Sequence, residues 1–244
     1  MQALATPLVS IVHDDGAYLF SRQKNAQGRS TYGAQQKKLE ALGIERPGTV
    51  FETSFRWQLV PAKLYRYDDR QLYLRNKHPL VTLGNIGVSA MPELKAMGVY
   101  YRNVHVPVSL YSGNHIAELF VHTANQLSKR QPHLGLAYFI DQHCWMILVR
   151  QNQVVLVQAE KCHTDADAVF HLAAMLDHYG LDRHSTPIFT GGMISEEGQL
   201  YRQLRIYFDI RNLDEELAAG PHTAPIELLL SHQKALREQP IPLS

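Results

Sequence analysis

Residues 133–208 constrain the fold of this 244-residue chain more than any other stretch. Leu134, Leu136, Ala137, Tyr138, Phe139 and Ile140 make an apolar run that stops at Asp141, Gln142 and His143. Residues 145–149 make a second run, closed by Gln151, Asn152 and Gln153, and residues 154–157 a third. Apolar runs bounded by turn residues read as buried strands. Connectors this short leave those strands one arrangement, an antiparallel meander. After Cys162 and His163 the apolar period lengthens to that of a helix, with Val169, Leu172, Ala173, Leu176 and Tyr179 on one face. Thr164 stands where an N-cap oxygen is needed, and Gly180 where the chain leaves the helix. Residues 187–190 form a short strand reached by that helical crossover, so it pairs parallel through a right-handed connection. Gly191 and Gly192 follow it, Ser195 is placed to cap a second helix carrying Leu200, Tyr201 and Leu204, and residues 206–210 supply a last strand.

Three meandering strands, a helix, a parallel strand, a helix and a final strand form the element order of one half of a ribonuclease H-like or actin-like fold. The first half of the chain reads as a looser copy. Residues 8–12 and 17–20 form a hairpin around Asp14, Asp15 and Gly16. Residues 32–42 read as a helix stopped at Gly43, and 55–60 as a strand from which Pro61 opens a helical turn through Leu64 and Tyr65. Asp68 or Asp69 is placed to cap a short helix through Leu72 and Leu74, and residues 98–106 return to the sheet. Asn114 caps an amphipathic helix with Ile116, Leu119, Phe120 and Leu127 inward. No residue-level repeat links the halves, so the duplication rests on element order. The expected fold class is α/β, an actin-like ATPase (ribonuclease H-like) fold of two related halves, each a mixed five-stranded sheet with flanking helices. Residues 1–107 are expected to form the N-terminal half and 108–212 the C-terminal, ribonuclease H-like half. Residues 213–244 form a C-terminal helical extension, in which a helix over 224–237 sets Ile226, Leu229, Leu230 and Leu236 on one side to complete a core.

Composition narrows the partners. The formal charge is +1 and the basic residues are scattered, Lys37 with Lys38 and Lys129 with Arg130 lying at helix ends or on solvated faces. Nucleic-acid affinity rests on clustered cations that neutralise phosphates, so no nucleic-acid partner is expected. With 45% hydrophobic residues the chain can bury a full core, and disorder is expected only near residues 24–30 and in the last few residues. No apolar stretch approaches the roughly 18 residues of a membrane helix, and no basic, then apolar leader opens the sequence, so the expected location is the cytoplasm. Cys144 and Cys162 permit one pairing at most and no disulfide framework.

Three segments carry a resemblance to a known family. They are the run Leu59, Val60, Pro61, Ala62, Lys63, Leu64, Tyr65; the strands of 137–160 with the capped helix that follows; and residues 189–207, where a strand, a small-residue turn and a helix opening near Ser195 stand in order. On these residues the chain resembles an uncharacterised bacterial family, domain of unknown function 3822, over about residues 5–210. The resemblance implies an actin-like ATPase fold and no reaction.

An active ATPase of that fold is expected to carry, between its first two strands, an acidic residue followed by glycine and small hydroxyl residues. The acid holds metal-bound water and the glycine lets backbone amides approach the phosphates. In the second half that place reads Asp141, Gln142, His143, Cys144, with the aspartate present and the glycine missing. In the first half Asp14, Asp15, Gly16 comes closer and is equally an ordinary hairpin turn. Gly191 and Gly192 occupy the strand-to-helix position where such a fold approaches a nucleotide, and a tight turn explains them as well. The candidate cofactor-binding residues are therefore Asp141, Gly191 and Gly192, with Asp14 the first-half counterpart.

Thirteen histidines raise a metal question that spacing answers against. His115 with His122, and His171 with His178, lie seven apart rather than four, without the intervening glutamate of a helical zinc site. His143, Cys144, Cys162 and His163 form a metal set only if the two dipeptides meet across the sheet. Cys144 beside His143 and Asp141 has the residue types of a thiol nucleophile, but strand neighbours point to opposite faces. No Walker loop, nucleophile elbow or dinucleotide fingerprint is present. Two readings follow: a non-catalytic actin-like module that binds a protein partner and needs no cofactor, which the missing glycine favours, and an ATP-binding protein or ATPase with magnesium at the cleft between the halves.

Overall fold

A computed structural model describes residues 9–12, 17–24, 30–37, 49–75, 86–102, 114–218 and 224–237. The chain divides into two compact units, Met1–Glu118 and Leu119–Ser244. Asp14, Asp15, Gly16 and Gly43, most of the expected disordered loop and the last residues lie outside the described residues.

In the first unit, β1 (Val9–Val12) and β2 (Ala17–Lys24) form the expected hairpin, Val12 opposite Ala17. Of the helix expected at 32–42, residues 32–37 are instead part of a strand, β3 (Ser30–Lys37), antiparallel to β2 over eight residue pairs, and 38–42 lie outside the described residues. Gly33 weakens a helix there, Thr31 and Tyr32 favour a strand, and β2 offers an open ladder to pair with. A short strand absent from the sequence reading, β4 (Thr49–Glu52), runs parallel to β1 with Val12 opposite Glu52. Residues 57–101 then build a separate antiparallel sheet from β5 (Trp57–Pro61), β6 (Ile86–Met91) and β7 (Ala96–Tyr101), with β7 central. β7 therefore does not return to the first sheet as expected. Pro61 ends β5, and the helical turn after it closes from Tyr65 N–H to Pro61 O at 3.1 Å. Asp68 and Asp69 lie inside a 3-10 turn, not at its cap, ahead of α1 (Arg70–Arg75). Asn114 belongs with His115 to β8 (Asn114–His115), parallel to β4, so α2 (Ala117–Ser128) starts later than the sequence suggests.

The second unit follows the sequence more closely. β9 (His133–Ile140), β10 (His143–Arg150) and β11 (Gln153–Lys161) form the meander. Thr164 caps α3 (Asp165–His178) through a reciprocal box: its hydroxyl accepts from Asp167 N–H and the Asp167 carboxylate accepts from Thr164 N–H. Past α3, Gly180 takes the left-handed conformation that releases the chain. β12 (Pro187–Gly192) pairs parallel with β9 and extends through Gly191 and Gly192, which are strand residues rather than a turn. Ser195 is not the next cap; Gly198 precedes α4 (Gln199–Tyr207). Ile206 and Tyr207 are helical because Tyr201, Leu204 and Phe208 fall at helical spacing and are all buried, which postpones β13 to Asp209–Asn212. Two helices close the unit, α5 (Leu213–Ala218) and α6 (Ala224–Arg237).

The two five-stranded sheets share one plan. Their orders are β3-β2-β1-β4-β8 and β11-β10-β9-β12-β13, each with a three-strand antiparallel part and two parallel strands added beside its first strand. One face of the second sheet buries Phe139, Met146 and Leu148 against Leu172 and Leu176 of α3 and Leu204 of α4. On the other face Phe120 of α2 lies 4.8 Å from the Tyr138 ring and 5.7 Å from that of Trp145, and Ile226, Leu228 and Leu229 bury α6.

Candidate functional site

In open α/β sheets ligands collect beyond the carboxyl ends of the parallel strands. Two such ends gather candidate residues, that of β12 in the second unit and that of β4 in the first.

At β12, Asp141 occupies a two-residue turn between β9 and β10, with Ile140 and His143 paired across its mouth. Its φ of 51° is left-handed, which aspartate tolerates better than most residues. Its N–H points to Met193 Sδ at 3.3 Å, and Gln142 O accepts from Cys162 N–H at 2.6 Å. Gly191 is buried under α6: a Cβ there would stand 2.6 Å from Gln233 Oε1, 2.9 Å from Leu213 Cδ2 and 3.1 Å from Tyr138 Cδ2. Gly192, at φ 82°, leaves no room beside the Phe139 backbone, whose carbonyl accepts from Met193 N–H at 2.8 Å. The glycine pair thus lets β12 approach β9 on one side and α6 on the other. Gln233 is fully buried, and among the described residues neither polar atom of its amide has a hydrogen-bond partner. Beside it the His232 ring stacks on Tyr138, its Nδ1 lying 3.2 Å from the Tyr138 hydroxyl.

At β4, a polar cluster that the sequence did not disclose gathers around Glu52. Tyr100 of β7 lies 3.4 Å from Glu52 Oε1, a long hydrogen bond, and Arg102 Nε is 3.6 Å from the same oxygen. Burial, then the Glu52 carboxylate, push the Tyr100 phenol far above its ordinary range. The Tyr100 ring and Arg102 lie across Gly87 of β6, where a Cβ would collide with both. His115, fully buried, stacks on Trp57 at 5.2 Å. Its Nε2 donates to Ser54 O at 2.8 Å and its Nδ1 accepts from Ala117 N–H at 3.3 Å, which fixes a neutral ring. Burial lowers its pKa to about 4. Glu118 Oε1 accepts from His115 N–H at 3.3 Å and from the Ser89 hydroxyl. His115 and Glu118 therefore cap the start of α2 as a serine and glutamate would. Burial raises the Glu118 carboxyl to about 7. With both ring nitrogens engaged, His115 is a structural cap, available neither as a base at neutral pH nor as a metal ligand.

Register sets Cys144 opposite Glu160, with Cys162 two residues further along. Burial pushes the Cys144 thiol well up and that of Cys162 up to about 11, so neither is a thiolate near neutrality. Among the described residues no three His, Cys, Asp or Glu side chains are grouped to hold a metal ion. The only advance sign of the β4 cluster was Glu52 ending an apolar run, a signal too short to separate from a loop.

The profile of the family described as "Protein of unknown function (DUF3822)" matches residues 49–211. No curated protein matches the chain. Among solved structures it is similar to a protein from Bacteroides thetaiotaomicron described as having an actin-like ATPase fold and unknown function. That similarity has a TM-score of 0.67 at 11% identity and covers 83% of this chain and 88% of the other. It is also similar to a chain of the PilM–PilN type IV pilus biogenesis complex, with a TM-score of 0.50 at 10% identity over 97% and 98%. At these identities the likeness shows the fold, which is the actin-like ATPase fold.

Proposed function

The chain belongs to the DUF3822 family, and from that footing we propose that it is a non-catalytic actin-like module that binds or assembles with a protein partner in the cytoplasm, without a resident cofactor. Gln233 carries this reading. A nucleotide reaching the carboxyl end of β12 needs the backbone of Gly191 open, and the Gln233 amide and Leu213 stand on it. The turn at Asp141 supports it too, since two residues cannot wrap a phosphate with several N–H groups. A solved neighbour that is itself a complex of two proteins in pilus biogenesis is the kind of assembly this reading expects.

The test is thermal unfolding with millimolar ATP or ADP, with and without magnesium. The expected result is no change in midpoint and no hydrolysis above buffer. Ligand at 100 times its Kd adds about 2.7 kcal/mol to the folded state, or roughly 5–10 °C for a chain of this size. A magnesium-dependent rise of that order, lost in Asp141→Asn, would overturn the proposal and establish Asp141, Gly191 and Gly192 as nucleotide contacts. Gly192 is the wrong position to vary, because its left-handed backbone against Phe139 makes any side chain disruptive.

A further inference from the structure

Three large apolar side chains of the first unit stand out of the surface within nine residues: Leu64 is 68% exposed, Tyr67 64% and Leu72 56%. They lie on a braced lobe. The Tyr73 hydroxyl donates to Leu64 O and accepts from Arg66 N–H, both at 3.0 Å. Arg70 donates to Tyr67 O at 2.9 Å and lies 4.0 Å from the centre of its ring. Buried Leu74 anchors α1 with Val60, Ile86 and Val99 beneath. The exposed side chains therefore sit on fixed backbone.

Charge selects the occupant. Lys63, Arg66, Arg70 and Arg75 lie in the same stretch of chain, against Asp68 and Asp69. No carboxylate among the described residues forms an ion pair with any of the four cations. Outward leucine and tyrosine among lysine and arginine that no described carboxylate neutralises match an anionic lipid surface, where the apolar groups enter the headgroup boundary and the cations meet phosphates. We propose that the lobe over residues 61–75 docks the protein on membranes containing anionic lipid. This proposal is independent of whether the second unit binds nucleotide.

The test is co-sedimentation of the 244-residue chain with vesicles of phosphatidylcholine, with and without about 30% phosphatidylglycerol. Binding is expected to the anionic vesicles alone and to weaken as salt screens the cations. Each cation at such a surface contributes about fivefold in affinity, so Lys63→Glu with Arg66→Glu is expected to reduce binding at least ~25-fold. Leu64→Ser with Leu72→Ser is expected to abolish it, with the unfolding midpoint unchanged because both positions are exposed. The proposal is overturned by failure to sediment with either vesicle, or by binding that survives both double variants. It is equally overturned by a concentration-dependent dimer that Leu64→Ser with Leu72→Ser dissociates, which would assign the lobe to a second copy of the chain.

Discussion

The seat of α6 on β12 can be tested by a double-mutant cycle at Gly191 and Gln233. Gly191 has no left-handed φ, so an alanine suits its backbone and, with open space, would add about 0.5–1 kcal/mol by restricting the unfolded chain. The space is not open. The new methyl carbon would lie 2.6 Å from Gln233 Oε1 and 2.9 Å from Leu213 Cδ2, well inside the ~3.5–4.0 Å of a relaxed contact. Overpacking of this kind costs about 1–3 kcal/mol, and Gly191→Ala is expected to lose about 1–2 kcal/mol net. Gln233→Ala alone removes two buried polar atoms that have no partner among the described residues, and their desolvation gain offsets much of the lost packing. Combining the two removes the nearest obstacle, so the double variant is expected to be more stable than the sum of the singles by at least ~1 kcal/mol. Urea unfolding followed by circular dichroism reads all four corners. Additivity within about 0.3 kcal/mol would refute the packing of Gln233 on Gly191, and with it the ground for calling the β12 end closed.

Two further expectations concern the helix starts. The pKa of His115 falls from an ordinary 6.5 to about 4 in the folded chain, so the unfolded chain binds the proton more readily. The stability this neutral ring contributes is complete above pH 6.5 and lost as pH falls toward 4, at most about 3 kcal/mol. Glu118 acts oppositely, its contribution being complete below pH 4.5 and lost as pH rises through about 7. His115→Gln should therefore flatten the acid limb of a urea-midpoint profile, and a limb parallel to wild type would contradict the buried neutral ring. Thr164→Ala, which breaks the box at the start of α3, is expected to cost about 1 kcal/mol by the same measurement, and no loss would show that the cap contributes nothing.

What the sequence disclosed and what it hid separate by the range of the interactions. The meander and α3 were legible because their signals are local: runs bounded by turn residues, Thr164 with Asp167 at one end of the helix and Gly180 at the other. β3 was misread because its pairing with β2 outweighed a weak helical pattern. Asn114 has the chemistry of a cap, yet pairing with β4 drew it into a strand and passed the role to His115, an imidazole no capping rule favours. The glycine pair was visible in sequence, but its neighbour Gln233 lies some 40 residues on, in a helix whose own pattern says nothing about Gly191.

Both units close the same position by different means, and that supports a binding module over an ATPase. The connection from the fourth strand of each sheet to its fifth is where the copies diverge. In the first unit residues 53–113 carry the small three-stranded sheet, and in the second residues 193–208 carry α4. The longer connection delivers Tyr100 and Arg102 to Glu52 and sets Trp57 against His115, filling the end of β4 with mutually engaged polar groups. The second unit has no such insertion, and the end of β12 is covered instead by Leu213 and Gln233 from the helices that follow β13. Each sheet thus sets its own side chains at the end of its fourth strand, and on that packing rests the proposal of a module that binds partners elsewhere. Contact with other molecules is then left to surfaces such as the lobe at Leu64, Tyr67 and Leu72, which packing leaves exposed.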